Sequence, residues 1–400
     1  MIPFDLRYVR AESAEEAVAA WSTANKRGET AHYLGGGTEI VTLARESKLY
    51  TDEVIDCSRI PEASAVETVT EGGREWFAYG AALPLNRIVD GDHQGLLRAC
   101  LAGIADRTTR NSITLGGNIC GMLPYREAVL PWLLAEGLVE TAAPRSTDGG
   151  ATDKGAPIRR VRRPIAELFD KRLKPAPGEL VLRFLLPMDW APSDVSTPPA
   201  APPSPGADGR RSDPTYGPRT AAGPGWFYQR RTKDPRVDYP LVTLAMAEIG
   251  DELRVALGGV WGYPARATVL EEAIREAGGA AAFLDRAGTA PGANAGNAGH
   301  GTAPGANAGN AGHGTAPGAN AGNAGHGTAP GANAGNVGHG TAPGAGTGGA
   351  GARRIGAALD AEGRSFREDH RGSAAYRREL AIQAIAEGLA HLATENGAMR

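Results

Sequence analysis

Cysteine is scarce. Only Cys57, Cys100 and Cys120 occur in 400 residues, with no CxxC spacing. Alone they cannot ligate an iron–sulfur cluster or a structural zinc, and so few scattered thiols suit a reducing, cytoplasmic setting. Charge of one sign is also lacking. Forty-two Lys and Arg against 45 Asp and Glu leave a net charge of −3, which points away from nucleic acid or an anionic membrane as partner. No stretch reads as a membrane span, since Leu130 to Leu134 is short and holds Pro131 and Trp132. The opening MIPFDLRYVRAES has no apolar signal core. What the sequence has in excess is Gly, 56, and Pro, 28. That is too many for one compact core of this length, so part of the chain is expected to stay unpacked.

Two glycine loops organise the rest. Tyr33-Leu34-Gly35-Gly36-Gly37-Thr38-Glu39-Ile40 follows a short strand-like run, Ala31 to Leu34, and opens a helix predicted over Thr38 to Ser47. Free amides at a helix N-terminus, with the positive end of its dipole, form an anion cradle. About eighty residues later, Thr114-Leu115-Gly116-Gly117-Asn118 follows an apolar, β-favouring lead-in, Ile113 to Leu115. Read alone, it is a plain Gly-Gly turn. Paired with the first loop, it becomes a second set of close-approaching amides, to which Asn118 adds a side-chain amide. Neither loop is GxGxxG or GxxxxGK[ST]. Two such cradles suit a diphosphate gripped from two sides, as in a dinucleotide.

With its flanks, the pair resembles the FAD-binding (medium) subunit of the molybdenum hydroxylases, the xanthine dehydrogenase and carbon monoxide dehydrogenase flavoprotein family. That family shows an (A/G)GGT(D/E) loop, then RNxxTxGGN followed by a carboxylate. Here they are Gly35 to Glu39, then Arg110-Asn111 with Thr114 to Asn118, then Glu127. The similarity continues in Pro164 to Pro187 and in GSAAYRRELA, Gly372 to Ala381.

The resemblance implies an α+β fold. A two-lobed FAD-binding domain of the vanillyl-alcohol-oxidase/PCMH type would be followed by a small C-terminal domain with an antiparallel sheet and helices. It implies non-covalent FAD, with the diphosphate on Tyr33–Ile40 and Thr114–Asn118. It also implies an acidic flavin contact at Glu127, apolar contacts at Ile104 and Leu180, and Tyr228 or Lys233 in place of a family lysine. Molybdenum cofactor and 2Fe-2S clusters would sit on a large and a small partner subunit. The assembly would be a dimer of heterotrimers, with NAD⁺ or another acceptor reoxidising the flavin. No acid–base pair, nucleophile or metal set stands out in this chain. A free-standing flavin oxidase and a non-catalytic FAD-binding scaffold are the alternative readings.

Local signals fill in the frame. Ser13-Ala14-Glu15-Glu16 is a capping box before an Ala-rich helix. Val66 to Thr70 and Trp76 to Gly80 form a hairpin, and Gln94 to Ala105 a helix with Leu96, Leu97, Cys100, Leu101 and Ile104 on one face. A helix is also expected from Glu127 to Glu136. The basic run Arg159 to Arg163 reads as a solvated strand edge, and Cys120 as a small buried residue beside the second loop.

The lobes are expected over residues 1–58 and 59–187, with a C-terminal domain over 226–400. Residues 188–225, rich in Pro, Ala and Gly, are expected to be a flexible insertion. Residues 288–350 hold 13-residue Gly/Ala/Asn repeats with one His each. With almost no large apolar side chain to bury, they are expected to be disordered rather than a solenoid. Arg377 and Arg378 read as capping the C-terminal domain.

Overall fold

Ser13 caps the first helix, α1 (Ala14–Lys26), by accepting the Glu16 amide at 3.2 Å. Glu16 returns a bond to the amide of Glu12, one residue earlier than the usual box. The helix gives way at Gly28, whose φ of 73° favours a residue without Cβ. It packs on a three-stranded parallel sheet of β1 (Arg7–Arg10), β2 (Ala31–Leu34) and β3 (Glu53–Asp56), in the order β1-β3-β2. Helix α2 (Thr38–Arg45) crosses between β2 and β3. No local signal marks β1, because Arg7-Tyr8-Val9-Arg10 lacks apolar alternation. Its backbone pairing with β3 and the Arg7–Glu53 bond at 3.0 Å hold it.

The computed structural model describes residues 2–144, 158–190, 219–223, 225–233, 238–285 and 349–398. Most of the expected insertion, and all of the tandem repeats over 288–339, lie outside the described residues. Residues Arg219–Gly223, within the stretch expected to be flexible, instead form a strand paired with the one that follows.

The second lobe begins with the hairpin β4 (Val66–Glu71) and β5 (Arg74–Gly80). Its turn residues Gly72 and Gly73 both have positive φ, as a two-residue primed turn requires. With β6 (Leu138–Pro144), β7 (Ile158–Pro164) and β10 (Leu180–Pro187), the hairpin makes an antiparallel sheet in the order β4-β5-β10-β6-β7. Between these strands lie short helices: α3 (Leu85–Val89), α4 (Gly95–Ala102), α5 (Arg107–Arg110), α6 (Leu115–Cys120), α7 (Leu130–Ala135) and α8 (Ile165–Leu168). A small hairpin, β8 (Phe169–Asp170) and β9 (Arg172–Leu173), also lies there. The basic run is the edge strand β7, but it is more than solvated. Arg162 pairs with Glu140 and Glu71, each at 2.6 Å.

Three expectations are corrected locally. The helix expected through Ala105 ends at Ala102, because Ala105 is left-handed (φ 48°) and Arg110 caps the carbonyls of Ala102, Ile104 and Ala105. The helix expected from Glu127 opens as a 3₁₀ turn, Glu127–Val129, before α7. The β-like lead-in to the second loop is only a single bridge, Thr114 to Pro84, and the glycines that follow lie inside α6.

The C-terminal sheet runs β11 (Arg219–Gly223), β12 (Trp226–Thr232), β13 (Pro240–Ile249), β14 (Glu252–Gly258) and β15 (Ala265–Arg266), each antiparallel to the next. Helices α9 (Thr268–Ala277), α10 (Ala280–Asp285), α11 (Ala350–Ala361) and α12 (Ala374–Ala398) complete it. Both faces of this sheet are buried. Trp226, Tyr228 and Ala245 join the core of the second lobe, while Phe227, Leu244 and Met246 join a core with α9 to α12. That is why β13 reads as an almost unbroken apolar run. Among the described residues, no helix is long and apolar enough to cross a membrane.

Arg377 is the polar anchor of this region. It is 0% exposed, donates to the carbonyls of Leu241 and Gly259 at 2.9 Å each, and pairs with Asp369 at 2.7 Å. Burial alone would raise Asp369, but bonds from Arg367, the Arg371 amide and Arg377 outweigh it and hold the carboxyl far below the usual range. A depressed folded-state pKa contributes stability that is present above the unfolded value and lost as pH falls. The melting temperature is therefore expected to be flat above about pH 4 and to drop below it. Asp369→Asn should remove that part of the acid dependence, which thermal unfolding across pH would read.

Candidate functional site

The first loop leaves β2 at Leu34 and enters α2 through Gly37, which is left-handed (φ 72°) and provides no side-chain cap. The first bond of the helix is Val41 N–H to Gly37 carbonyl at 2.9 Å, so the amides of Thr38, Glu39 and Ile40 precede the ladder and have no partner within it. The second loop is the first turn of α6. Thr114 is its N-cap, accepting the Gly117 amide at 3.1 Å.

The two loops touch. A Cβ on Gly36 would fall on the carbonyl oxygen of Ser112, and one on Gly35 would come within 2.6 Å of Thr114 Oγ1. A Cβ on Gly117 would meet the same Thr114 oxygen at 2.8 Å, and one on Gly116 would meet Ala81 at 2.8 Å. These glycines therefore allow backbone to pack on backbone. Glu39 ties the arrangement together. Its carboxylate accepts the Met122 amide at 2.9 Å and the Leu123 amide at 3.0 Å.

Two cavities open on this junction. The smaller, about 290 Å³, is lined by both loops and floored by apolar residues including Leu43, Leu49, Ala82 and Leu180. The larger, about 650 Å³, runs from the same junction toward the C-terminal sheet and is lined by Ile104, Asn118, Glu127, Arg230 and Tyr239. Thr38, Glu39, Gly117 and Gly121 belong to both. Their sizes fall in the usual range for ligand pockets.

Most of the expected contacts meet here. Tyr33, Leu34, Gly35, Gly36, Gly37, Thr38, Glu39, Ile40, Thr114, Gly116, Gly117 and Leu180 line the smaller cavity, and Ile104, Asn118 and Glu127 the larger. The Tyr33 hydroxyl donates to the Gly178 carbonyl at 2.9 Å, and the Asn118 side-chain oxygen accepts from the Ala128 amide at 3.0 Å. Leu115 and Tyr228 are not brought to either cavity. Both lie in the core of the second lobe, Tyr228 against Gly103. Lys233 is exposed at the end of β12. Cys120, expected to be buried, is exposed on the wall of the smaller cavity, where the chain turns away at Gly121.

Arg230 is a site residue that no loop motif marks. Its guanidinium is 6% exposed and binds Glu127, itself 4% exposed, through Nε at 2.8 Å. Glu127 also accepts from Thr243 Oγ1 at 2.7 Å, and Arg230 donates to the Asp238 carbonyl at 2.8 Å. Burial works against the charge on Arg230, yet Glu127 outweighs it and keeps the guanidinium ionised. The alternation of β12 was the available signal. Side chains two apart share a face, so Arg230 follows Tyr228 on the side toward the second lobe. Tyr239 stacks on Tyr125 at 4.6 Å, and the Arg371 guanidinium lies over the Tyr239 ring at 4.8 Å. Arg110 and Asn111, though part of the recognised motif, act from behind the loop. Arg110 donates to the Asn86 side-chain oxygen at 3.0 Å, and Asn86 donates to Asn111 at 2.6 Å. No group of acidic, His and Cys side chains suited to a metal occurs among the described residues.

Comparison with known proteins agrees with this geometry. Residues 4–153 match the family described as the FAD binding domain in molybdopterin dehydrogenase. No curated protein sequence matches. Among solved structures, the fold is shared with a chain of carbon monoxide dehydrogenase from Hydrogenophaga pseudoflava (18% identity, 99% of each chain covered, TM-score 0.57). It is also shared with one of quinoline 2-oxidoreductase from Pseudomonas putida 86 (16%, 99% of each chain, TM-score 0.57). A third is from carbon monoxide dehydrogenase of Oligotropha carboxidovorans (16%, 97% of this chain and 98% of that one, TM-score 0.57). At these identities the structural likeness establishes the fold.

Proposed function

We propose, from the match of residues 4–153 to the FAD binding domain in molybdopterin dehydrogenase, that the chain is the flavin electron-transfer subunit of a molybdenum hydroxylase complex. The contact between the two glycine loops carries this reading. It places the uncapped amides of α2 and the first turn of α6 on one junction, with a cavity on either side. The residues fit FAD. The smaller cavity offers backbone amides and apolar walls with no Lys or Arg in its lining, which suits a diphosphate held by amides with an adenosine group beyond it. The larger offers Ile104 as an apolar wall and the buried Arg230–Glu127 ion pair as a fixed polar group for the ring end.

FAD, when bound, supplies the redox chemistry; the chain supplies binding, orientation and tuning. Thr38, Glu39 and Ile40 would present amides to the diphosphate. Glu39 acts through its carboxylate on the Met122 and Leu123 amides, so its part is to fix the second loop. Glu127 meets Arg230 and Thr243, so its part is to hold the guanidinium at the cavity wall.

In this reading the chain takes electrons from 2Fe-2S centres on a small partner subunit. Those centres are served by a molybdenum subunit, and NAD⁺ or another acceptor receives the electrons. The assembly is a dimer of heterotrimers. The purified chain should carry flavin absorbance, or gain it on mixing with FAD, and lose it on addition of NADH without oxygen. A chain that stays colourless with FAD would overturn the proposal. Turnover of a small organic substrate by the isolated chain would identify a free-standing oxidase instead.

A further inference from the structure

His32 sits in β2, just ahead of the first glycine loop. Side chains alternate along a strand. Ala31 and Tyr33 pack into the core beneath α1, so His32 and Leu34 project from the opposite face. Both line the smaller cavity, beside Leu43 and Leu49. Tyr33 lines it too, but its hydroxyl is spent on the Gly178 carbonyl. His32 therefore brings a ring nitrogen to a wall that is otherwise largely apolar.

The partner of that ring fixes its tautomer. His32 Nδ1 lies 3.0 Å from Thr51 Oγ1. Thr51 is 0% exposed, and the same oxygen lies 3.1 Å from the Thr30 carbonyl and 2.9 Å from the Glu53 carbonyl. A hydroxyl has one proton and two lone pairs, whereas a carbonyl only accepts. The carbonyls claim the Thr51 proton, which leaves the Thr51 oxygen to accept from the ring. Nδ1 therefore carries the hydrogen and Nε2 the lone pair. Burial lowers the pKa of His32 from its ordinary value, so the ring is neutral at pH 7. Among the described residues nothing bonds Nε2, yet it is not sealed from solvent. A nitrogen that only accepts, on the wall of a cavity, calls for a donor on the guest. The base of an adenine nucleotide has one donor group, its exocyclic amine.

We propose that His32 Nε2 accepts the adenine amine and so makes the smaller cavity selective for an adenine dinucleotide, with Thr51 as the positioning residue that fixes the ring. This rests on the flavin reading above. The test titrates the full chain, freed of flavin, with FAD and with an analogue whose purine carries hydrogen in place of the amine. Flavin fluorescence reports binding. The parent should bind FAD about tenfold more tightly than the analogue, or better. His32→Phe keeps a ring but no acceptor, and should bind the two alike, with the loss falling on FAD. Thr51→Val leaves His32 in place but frees its tautomer, and should shrink the preference as well. Equal affinity of the parent for both dinucleotides would overturn the proposal and leave the flavin reading standing. So would a His32→Phe chain that keeps the parental preference. Equal weakening of both dinucleotides in His32→Phe would also overturn it, because the ring would then serve the ribose or only the shape of the wall. A parent that binds neither dinucleotide would remove the flavin reading and this proposal with it.

Discussion

Gly36→Ala should abolish flavin binding. The added Cβ would fall on the Ser112 carbonyl oxygen, and a backbone atom cannot swing aside as a flexible side chain could. One loop must therefore move, separating the amides of Thr38 to Ile40 from the turn at Thr114–Asn118. Losing even part of a set of charge-assisted bonds to a diphosphate should weaken FAD affinity by on the order of 100-fold or more. The loop lies on the surface of the first lobe, so circular dichroism and melting temperature should change far less than flavin content. Gly262→Ala is the matched control, because its Cβ would enter open space. A Gly36→Ala protein that retains full flavin would show that the loop contact is incidental to the cofactor.

Arg230→Met should be the most damaging change at the larger cavity. It leaves Glu127 buried with Thr243 as its remaining side-chain donor. Breaking a buried ion pair from one side typically costs about 3–5 kcal/mol. Arg230→Met combined with Glu127→Gln should recover much of that loss, since the uncompensated charge is gone. Denaturant unfolding of the parent, both singles and the double measures this. A double variant no more stable than Arg230→Met alone would mean that Glu127 is not the charge left behind.

The fold was legible where local chemistry and tertiary role agreed. Ser13 capped a helix, Gly72-Gly73 turned a hairpin, and Leu96 to Ile104 faced a core, because each signal is local and packing left it in place. The glycine loops were legible as a pair, and their contact through Ser112 and Thr114 is the feature that spacing alone could not supply. The resemblance gives Glu127 and Tyr228 cofactor roles. Glu127 lines the larger cavity, with its carboxylate bonded to Arg230 and Thr243, and Tyr228 packs in the core. Arg230 carries no local signal, because its role depends on the C-terminal sheet meeting the second lobe, a contact between residues more than a hundred positions apart. Likewise β11 has no apolar pattern to read, since only its backbone pairing with β12 makes it a strand.

Amide hydrogen exchange with and without FAD tests the central claim most directly. One diphosphate seated between both loops predicts that peptides covering residues 34–40 and 114–118 slow together on FAD addition, with the same dependence on FAD concentration. Protection confined to one loop, with the other exchanging as before, would contradict it.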